Sequence, residues 1–156
     1  MEKLQFYENK TLKLTNVLTY KILLEDENFN LNVAVEQMQT YIRTKGAMPI
    51  GPLIQYSKTE VNEQGELDIE IYLMMQCNHE IHHVDAPYQM ECVIRVQHAA
   101  YCRYHGMEQD MHFAYDKIQV EAFERDIILG NQNYTIFVDQ NEEEETMTVD
   151  VFVPRK

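Results

Sequence analysis

Glu66-Leu67-Asp68-Ile69-Glu70-Ile71-Tyr72-Leu73 alternates polar and apolar residues at every step. Side chains along a strand point to opposite faces in turn. Leu67, Ile69, Ile71 and Leu73 therefore share one side, and Glu66, Asp68, Glu70 and Tyr72 the other. This is the pattern of an antiparallel strand covered on one face. Met147-Thr148-Val149-Asp150-Val151-Phe152-Val153 repeats it, with Met147, Val149, Val151 and Val153 on the apolar face. Asp68 to Leu73 aligns with Thr148 to Val153 at an offset of 80 residues, which matches Glu70 with Asp150 and Tyr72 with Phe152. Each match sets an acid and an aromatic, two residues apart, on the face away from the core.

Outward from these strands, two segments read as helices. Leu31, Val35, Met38 and Ile42 fall at helical spacing, with Asn30 as N-cap and Gly46 as the C-terminal stop. Met111, Tyr115, Ile118 and Ala122 repeat the spacing, Glu108 and Asp110 sit where the helix dipole favours anions, and Gly130 follows. Val17 to Leu24 and Glu91 to Arg103 read as strands that precede the helices. Leu53 to Thr59 and Tyr134 to Asp139 read as strands that follow them. Asn62-Glu63-Gln64-Gly65 and Gln140-Asn141-Glu142-Glu143 read as hairpin connections, and the Glu142 to Glu145 run as a solvated tip.

The order is β-α-β-β twice. The expected fold class is α+β: duplicated β-α-β-β modules related by a pseudo-twofold axis, forming antiparallel sheets with two helices packed on one face. A single domain spans 1–156, with repeat 1 at about 16–76, a linker at about 77–90 and repeat 2 at about 91–154. Gly46 aligns with Gly130 at an offset of 84, a drift assigned to loop length. The seam between the modules is a groove, a usual place for small ligands.

Composition sets the function classes. Lys and Arg number 13 against 26 Asp and Glu, a net charge of −13. Nucleic acids are held mainly by Lys and Arg, so neither nucleic acid nor an anionic membrane is an expected partner, whereas a basic protein is. Three cysteines, Cys77, Cys92 and Cys102, cannot form a closed disulfide set. No apolar run approaches the ~20 residues of a membrane span, and Met1 to Lys13 carries Glu2 and Glu8 with no signal-like apolar stretch. The expected location is cytoplasmic.

Tyr101-Cys102-Arg103-Tyr104-His105-Gly106, followed by a helix containing Ala114-Tyr115, resembles the centre of the gyrase-inhibitor-like (GyrI-like) effector-binding domains. Gly46-Ala47-Met48-Pro49-Ile50-Gly51-Pro52-Leu53-Ile54-Gln55-Tyr56 resembles their first helix-to-strand passage, and Asp150-Val151-Phe152-Val153-Pro154 their terminal strand. The resemblance runs from about Asn16 to Pro154. It implies the duplicated fold, a ligand groove at the pseudo-dyad, and a small hydrophobic or cationic ligand. Members are often the sensing halves of transcription regulators, and a few hydrolyse small electrophiles. One departure is visible: the family often carries a glutamate in the strand after the second helix, where Tyr134-Thr135-Ile136-Phe137 places Thr135. Neither cation binding at that position nor glutamate-dependent hydrolysis is therefore expected, and the chain reads as a non-enzyme. Too few residues precede the first expected strand for a helix-turn-helix. A narrower resemblance, to a stand-alone family of Gram-positive bacteria encoded near type VII secretion toxins of the LXG class, implies a cytosolic accessory role.

The motifs have competing readings. His79-Glu80-Ile81-His82-His83 fits H-E-x-x-H, which binds zinc only when a helix brings both histidines to one side. Here it falls in the linker with Pro87 close behind, and the expected reading is a polar connection without metal. Cys102 and His105, three apart on a strand, point to opposite faces and make no nucleophilic pair. Ten Tyr and no Trp stand out. Tyr56, Tyr72, Tyr101 and Phe152 border the groove, with Glu70 and Asp150 as acids and Phe137 completing the ligand-binding set. Such aromatics stack on flat molecules and attract cations; they would equally fill a sheet face or a protein interface. No catalytic residue and no cofactor is assigned.

Overall fold

The computed structural model describes residues 3–156. Six strands and two helices follow one another as β1 (Lys3–Lys21), α1 (Leu31–Thr44), β2 (Pro49–Val61), β3 (Leu67–Cys77), β4 (Tyr88–Met107), α2 (His112–Glu124), β5 (Gln132–Asn141) and β6 (Thr146–Pro154), with a 3-10 turn over Glu108–Asp110. All strand pairs are antiparallel, and they close as a barrel in the order β1-β3-β2-β5-β6-β4. The class is α+β, as expected. Instead of leaving a groove on an open face, the sheet curls shut at two seams, where β1 pairs with β4 and β2 with β5. Exchanging β1 with β4, β2 with β5 and β3 with β6 leaves the ring order unchanged.

Three apolar clusters follow from the strand alternation. All six strands contribute to the barrel interior: Leu12, Leu14 and Val17 of β1, Ile54 of β2, Met74 of β3, Ala99 and Tyr101 of β4, Tyr134 of β5 and Phe152 of β6. Outside the barrel, Ala34, Met38 and Ile42 of α1 pack on Leu18, Leu73 and Met75. Ala114 and Ile118 of α2 pack on Ala100, Cys102, Val149 and Val151. Each large apolar side chain fully buried here contributes about 1.5–3 kcal/mol. The apolar faces of β3 and β6 thus meet helices, while Tyr72 and Phe152 turn inward. No helix among the described residues is long and apolar enough to cross a membrane.

The structure corrects several boundaries. β1 begins at Lys3, not Val17, and β4 at Tyr88, not Glu91. The first half of β1 pairs only with β4 and stays largely exposed, so it lacks the clean apolar alternation of a covered strand. Leu67 and Ile69 are exposed because α1 covers only the other end of β3. Leu31 is likewise exposed, and Ala34 takes its expected place in the core. Asn30 does cap α1, its Oδ1 accepting from the Val33 N–H at 3.1 Å.

Gly46 is not matched by Gly130. The residue in the equivalent place after α2 is Asp126, exactly 80 positions on. Gly46 has φ +82° after the cap Lys45, and Asp126 has φ +56° after the cap Arg125. Ala47 N–H donates to the Ile42 carbonyl, as Ile127 N–H does to Ala122. The buried helix residues Ala34, Met38 and Ile42 correspond to Ala114, Ile118 and Ala122 at the same offset. The left-handed residues that lead into β3 and β6, Gly65 and Glu145, are also 80 apart, and those within β1 and β4, Asn16 and His98, are 82 apart.

Left-handed backbone costs a non-glycine residue about 1–2 kcal/mol. Asp126→Gly is expected to stabilise the protein and Gly46→Ala to destabilise it, each by about 1 kcal/mol. Open space surrounds the Cβ position at Gly46, so the penalty there is conformational. Urea denaturation checks this, and unchanged midpoints in both variants would contradict the shared helix ending.

Candidate functional site

Tyr56 stands between two other tyrosines because of register: on β2 it is the direct partner of Tyr72 on β3 and of Tyr134 on β5. Directly opposed side chains lie close enough to touch. Ring centroids are 5.8 Å apart for Tyr56–Tyr72 and 4.8 Å for Tyr56–Tyr134, in tilted arrangements. Glu70 precedes Tyr72 by two residues and so shares its face, opposite Lys58. These side chains, with Thr19, Gln89, Glu91 and Ile94 among others, line a cavity of about 280 Å³. Lys58 rests against Glu60 at 2.7 Å, and Lys21 reaches Glu70 at 3.4 Å. Glu91 makes no ion pair among the described residues.

Burial raises the phenols of Tyr56 and Tyr134. Desolvation raises Tyr56, opposed by the nearby Lys58 charge and reinforced by Glu70. Tyr134 is pushed up to about 12, first by burial and then by Tyr56. The cluster thus presents aromatic faces beside carboxylates, a combination that attracts cations and flat rings.

The other half of the interior is chemically different. Tyr101 on β4 partners Phe152 on β6, with ring centroids 4.8 Å apart. Asp150 is almost entirely buried and fully engaged. Its carboxylate accepts from the Tyr101 hydroxyl at 2.7 Å, from Arg103 Nε at 2.7 Å and from Arg103 Nη2 at 2.9 Å. The Arg103–Asp150 fork is the strong bidentate kind. Burial and the Asp150 hydrogen bond push the Tyr101 phenol far above its ordinary range. Lys10 on β1 sets its ammonium 4.5 Å from the Tyr101 ring centroid and 4.8 Å from that of Tyr7.

The expected site residues therefore fall into three places. Tyr56, Glu70 and Tyr72 come together at the cavity. Tyr101, Asp150 and Phe152 come together in the second half. Phe137 lies apart, packed outside the barrel in the cluster beneath α2. Thr135 also faces α2, bonded to the Tyr115 hydroxyl, so the β5 residues turned inward are Tyr134 and Ile136. An acid at position 135 would not have faced the interior, and Thr135 does not bear on the chemistry there.

The sequence reading missed Tyr134, Glu91, Arg103 and Lys10. Tyr134 was signalled by its place as the β5 counterpart of Tyr56. The other three need strand register, which local patterns do not carry. The His79–His83 stretch is not helical, and His79 is held between the Gly46 and Glu80 carbonyls at 2.9 Å and 3.1 Å. Cys102 is buried on the α2 side, while His105 bonds the Thr148 hydroxyl at 2.7 Å. Burial raises the Cys102 thiol to about 11, which removes it as a nucleophile near neutrality. All three cysteines are free, and no three His, Cys, Asp or Glu side chains converge on a metal point among the described residues.

Alkaline stability follows from the buried phenol of Tyr134. Its folded pKa stands above that of an unfolded tyrosine, so its contribution is complete below about pH 10 and is lost as pH rises through about 12. Urea midpoints are expected to fall over that window, and to fall less in Tyr134→Phe. An identical alkaline decline in the variant would contradict the assignment.

No known protein-family profile matches the chain, and no curated protein matches it by sequence. Solved structures do. The crystal structure of the EcmrR C-terminal domain aligns with a TM-score of 0.60 at 12% identity, covering 100% of this chain and 97% of that one. EcmrR in the cryo-EM EcmrR–DNA complex aligns with a TM-score of 0.64 at 12% identity, over 100% of this chain and 57% of that chain. At this identity the likeness concerns the fold alone: the chain has the architecture of the EcmrR C-terminal domain.

Proposed function

We propose that this chain is a non-catalytic binding domain that takes a small hydrophobic or cationic molecule at the Tyr56–Tyr72–Tyr134 cluster. The carrying observation is the convergence of three tyrosines and the carboxylates of Glu70 and Glu91 on one cavity of about 280 Å³. Apolar burial supplies most of the affinity, and ring faces with nearby carboxylates select a positive charge. An engineered apolar cavity of about 150 Å³ is enough for a benzene ring, so the volume suits one aromatic ring or a compact ammonium group. The likeness to an effector-binding fold supports a sensing role, in which the occupied state is read by another molecule. No reaction step is assigned to any residue.

We also infer that the two halves are copies of one strand–helix–hairpin module. The repeated helix cores, the repeated left-handed positions and the exchange symmetry of the strand ring all support this. In that reading the cavity is one of two related interior sites, and the second has diverged.

Titration with a fluorescent aromatic cation is the test. Tyr72→Ala is expected to weaken the dissociation constant about tenfold and Glu70→Gln about threefold, magnitudes set by losing one cation–ring contact or one partly exposed charge. A neutral analogue of the dye should be insensitive to Glu70→Gln. Dye binding that is unchanged in both variants would remove the site. The net charge of −13 supports a competing reading, an accessory protein for a basic partner. That reading predicts no dye binding and a stoichiometric basic protein that co-purifies at low salt and dissociates at high salt.

A further inference from the structure

The two halves of the interior differ in who supplies the cation. No lysine or arginine lies over Tyr56, Tyr72 or Tyr134 among the described residues, whereas Lys10 sits over both Tyr7 and Tyr101. The Lys10 position is not imposed by regular strand geometry. The β1–β4 register shifts on both sides of it, between Tyr7 and Lys10 and again between Lys10 and Leu12. Bulges redirect side chains, and here the result is an ammonium group aimed between two rings whose centroids are 5.8 Å apart. The segment is also tied down: Glu8, two residues earlier, pairs with Arg125 at 3.3 Å, and its carbonyl accepts from Arg155. The acid of this half, Asp150, is already held by Arg103.

We propose that the Tyr7–Tyr101 pair is a second ammonium-binding site, occupied by the chain's own Lys10, so that Lys10 acts as a built-in competitor against external alkylammonium groups. The proposal rests on the reading of the first cluster as a cation site only for the kinship of the two halves. Its geometry stands on the Lys10 contacts themselves. Aromatic faces bind quaternary and primary ammonium groups by the same electrostatic attraction. An intramolecular lysine meets its site at a high effective concentration and excludes a free ligand. Removing the lysine side chain leaves the rings in place with no cation over them. Arginine in its place keeps a cation there.

The experiment uses the full chain and tetramethylammonium, read by tyrosine ring shifts in NMR, which report the two sites separately. In the wild type, shifts are expected at Tyr56 and Tyr72 and not at Tyr7 or Tyr101. In Lys10→Ala, saturable shifts appear at Tyr7 and Tyr101, with an affinity there at least about tenfold above the wild type. Lys10→Arg behaves as the wild type. Lys10 is exposed, so the alanine variant is expected to fold, with an unchanged amide spectrum away from β1 as the check. Absence of Tyr7 and Tyr101 shifts in folded Lys10→Ala overturns the proposal, as do equal shifts there in wild type and variant. Loss of the Tyr56 and Tyr72 shifts with the Tyr101 response intact refutes the first site and leaves this one standing.

Discussion

The pairing of β1 with β4 is the contact on which the rest of the molecule depends. It runs from Lys3 opposite His105 to Tyr20 opposite Tyr88, and it turns two β-α-β-β halves into one closed sheet. Without it, each half would expose an inner sheet face of aromatic and aliphatic residues to water. Closure of six strands leaves an interior that side chains must fill. The chain fills it with the aliphatic side chains of Leu12, Leu14, Val17 and Ile54, with Met74, and with the rings of Tyr101, Tyr134 and Phe152. The two helices then have one task each, to cover the outer apolar face of their own half.

That division of labour separates stability from binding. The residues of β3 and β6 that lie beneath the helices, among them Leu73, Met75, Val149 and Val151, are apolar and buried, so they carry fold energy and no chemistry. The inward residues have mixed character. Around Tyr101, Arg103 of β4 pairs with Asp150 and Lys10 of β1 covers the ring, and the polar groups are mutually satisfied. In the other part of the interior, Tyr56, Tyr72 and Tyr134 face a cavity, with Lys58 and Lys21 held against carboxylates at its edge. A buried network that is complete has no affinity to spare for a ligand, whereas aromatic rings beside partly exposed acids do. This contrast between the two parts of the interior supports the proposed placement of a ligand at Tyr56, Tyr72 and Tyr134.

Much of this was legible before any coordinates. The alternation of Glu66 to Leu73 and of Met147 to Val153 located β3 and β6 and told their helix-facing sides from their inward sides. Helical spacing with an Asn30 cap located α1. The match of Tyr72 with Phe152 put both on one face, expected to point away from the core; closure of the barrel makes that face a second core, with Phe152 buried in it and Tyr72 packed against it. What was not legible depends on partners distant in sequence. The first half of β1 is paired on one edge only and is too polar to declare itself. The equivalence of Gly46 with Asp126 was hidden because the second helix ends on a residue that merely tolerates the left-handed region. Phe137 reads as a groove aromatic by type, but strand parity sends it to α2. The engagement of Asp150 by Arg103 follows from β4–β6 register alone.

The central claim is that the Tyr56–Tyr72–Tyr134 cluster is where the ligand sits. A crystal structure of the protein with a bound aromatic cation tests it most directly. The account predicts density for the cation stacked on at least two of these three rings, with its charge within about 4–6 Å of Glu70 or Glu91. Density for the cation only on the outer surface, with the three rings packed as they are without it, would contradict the account.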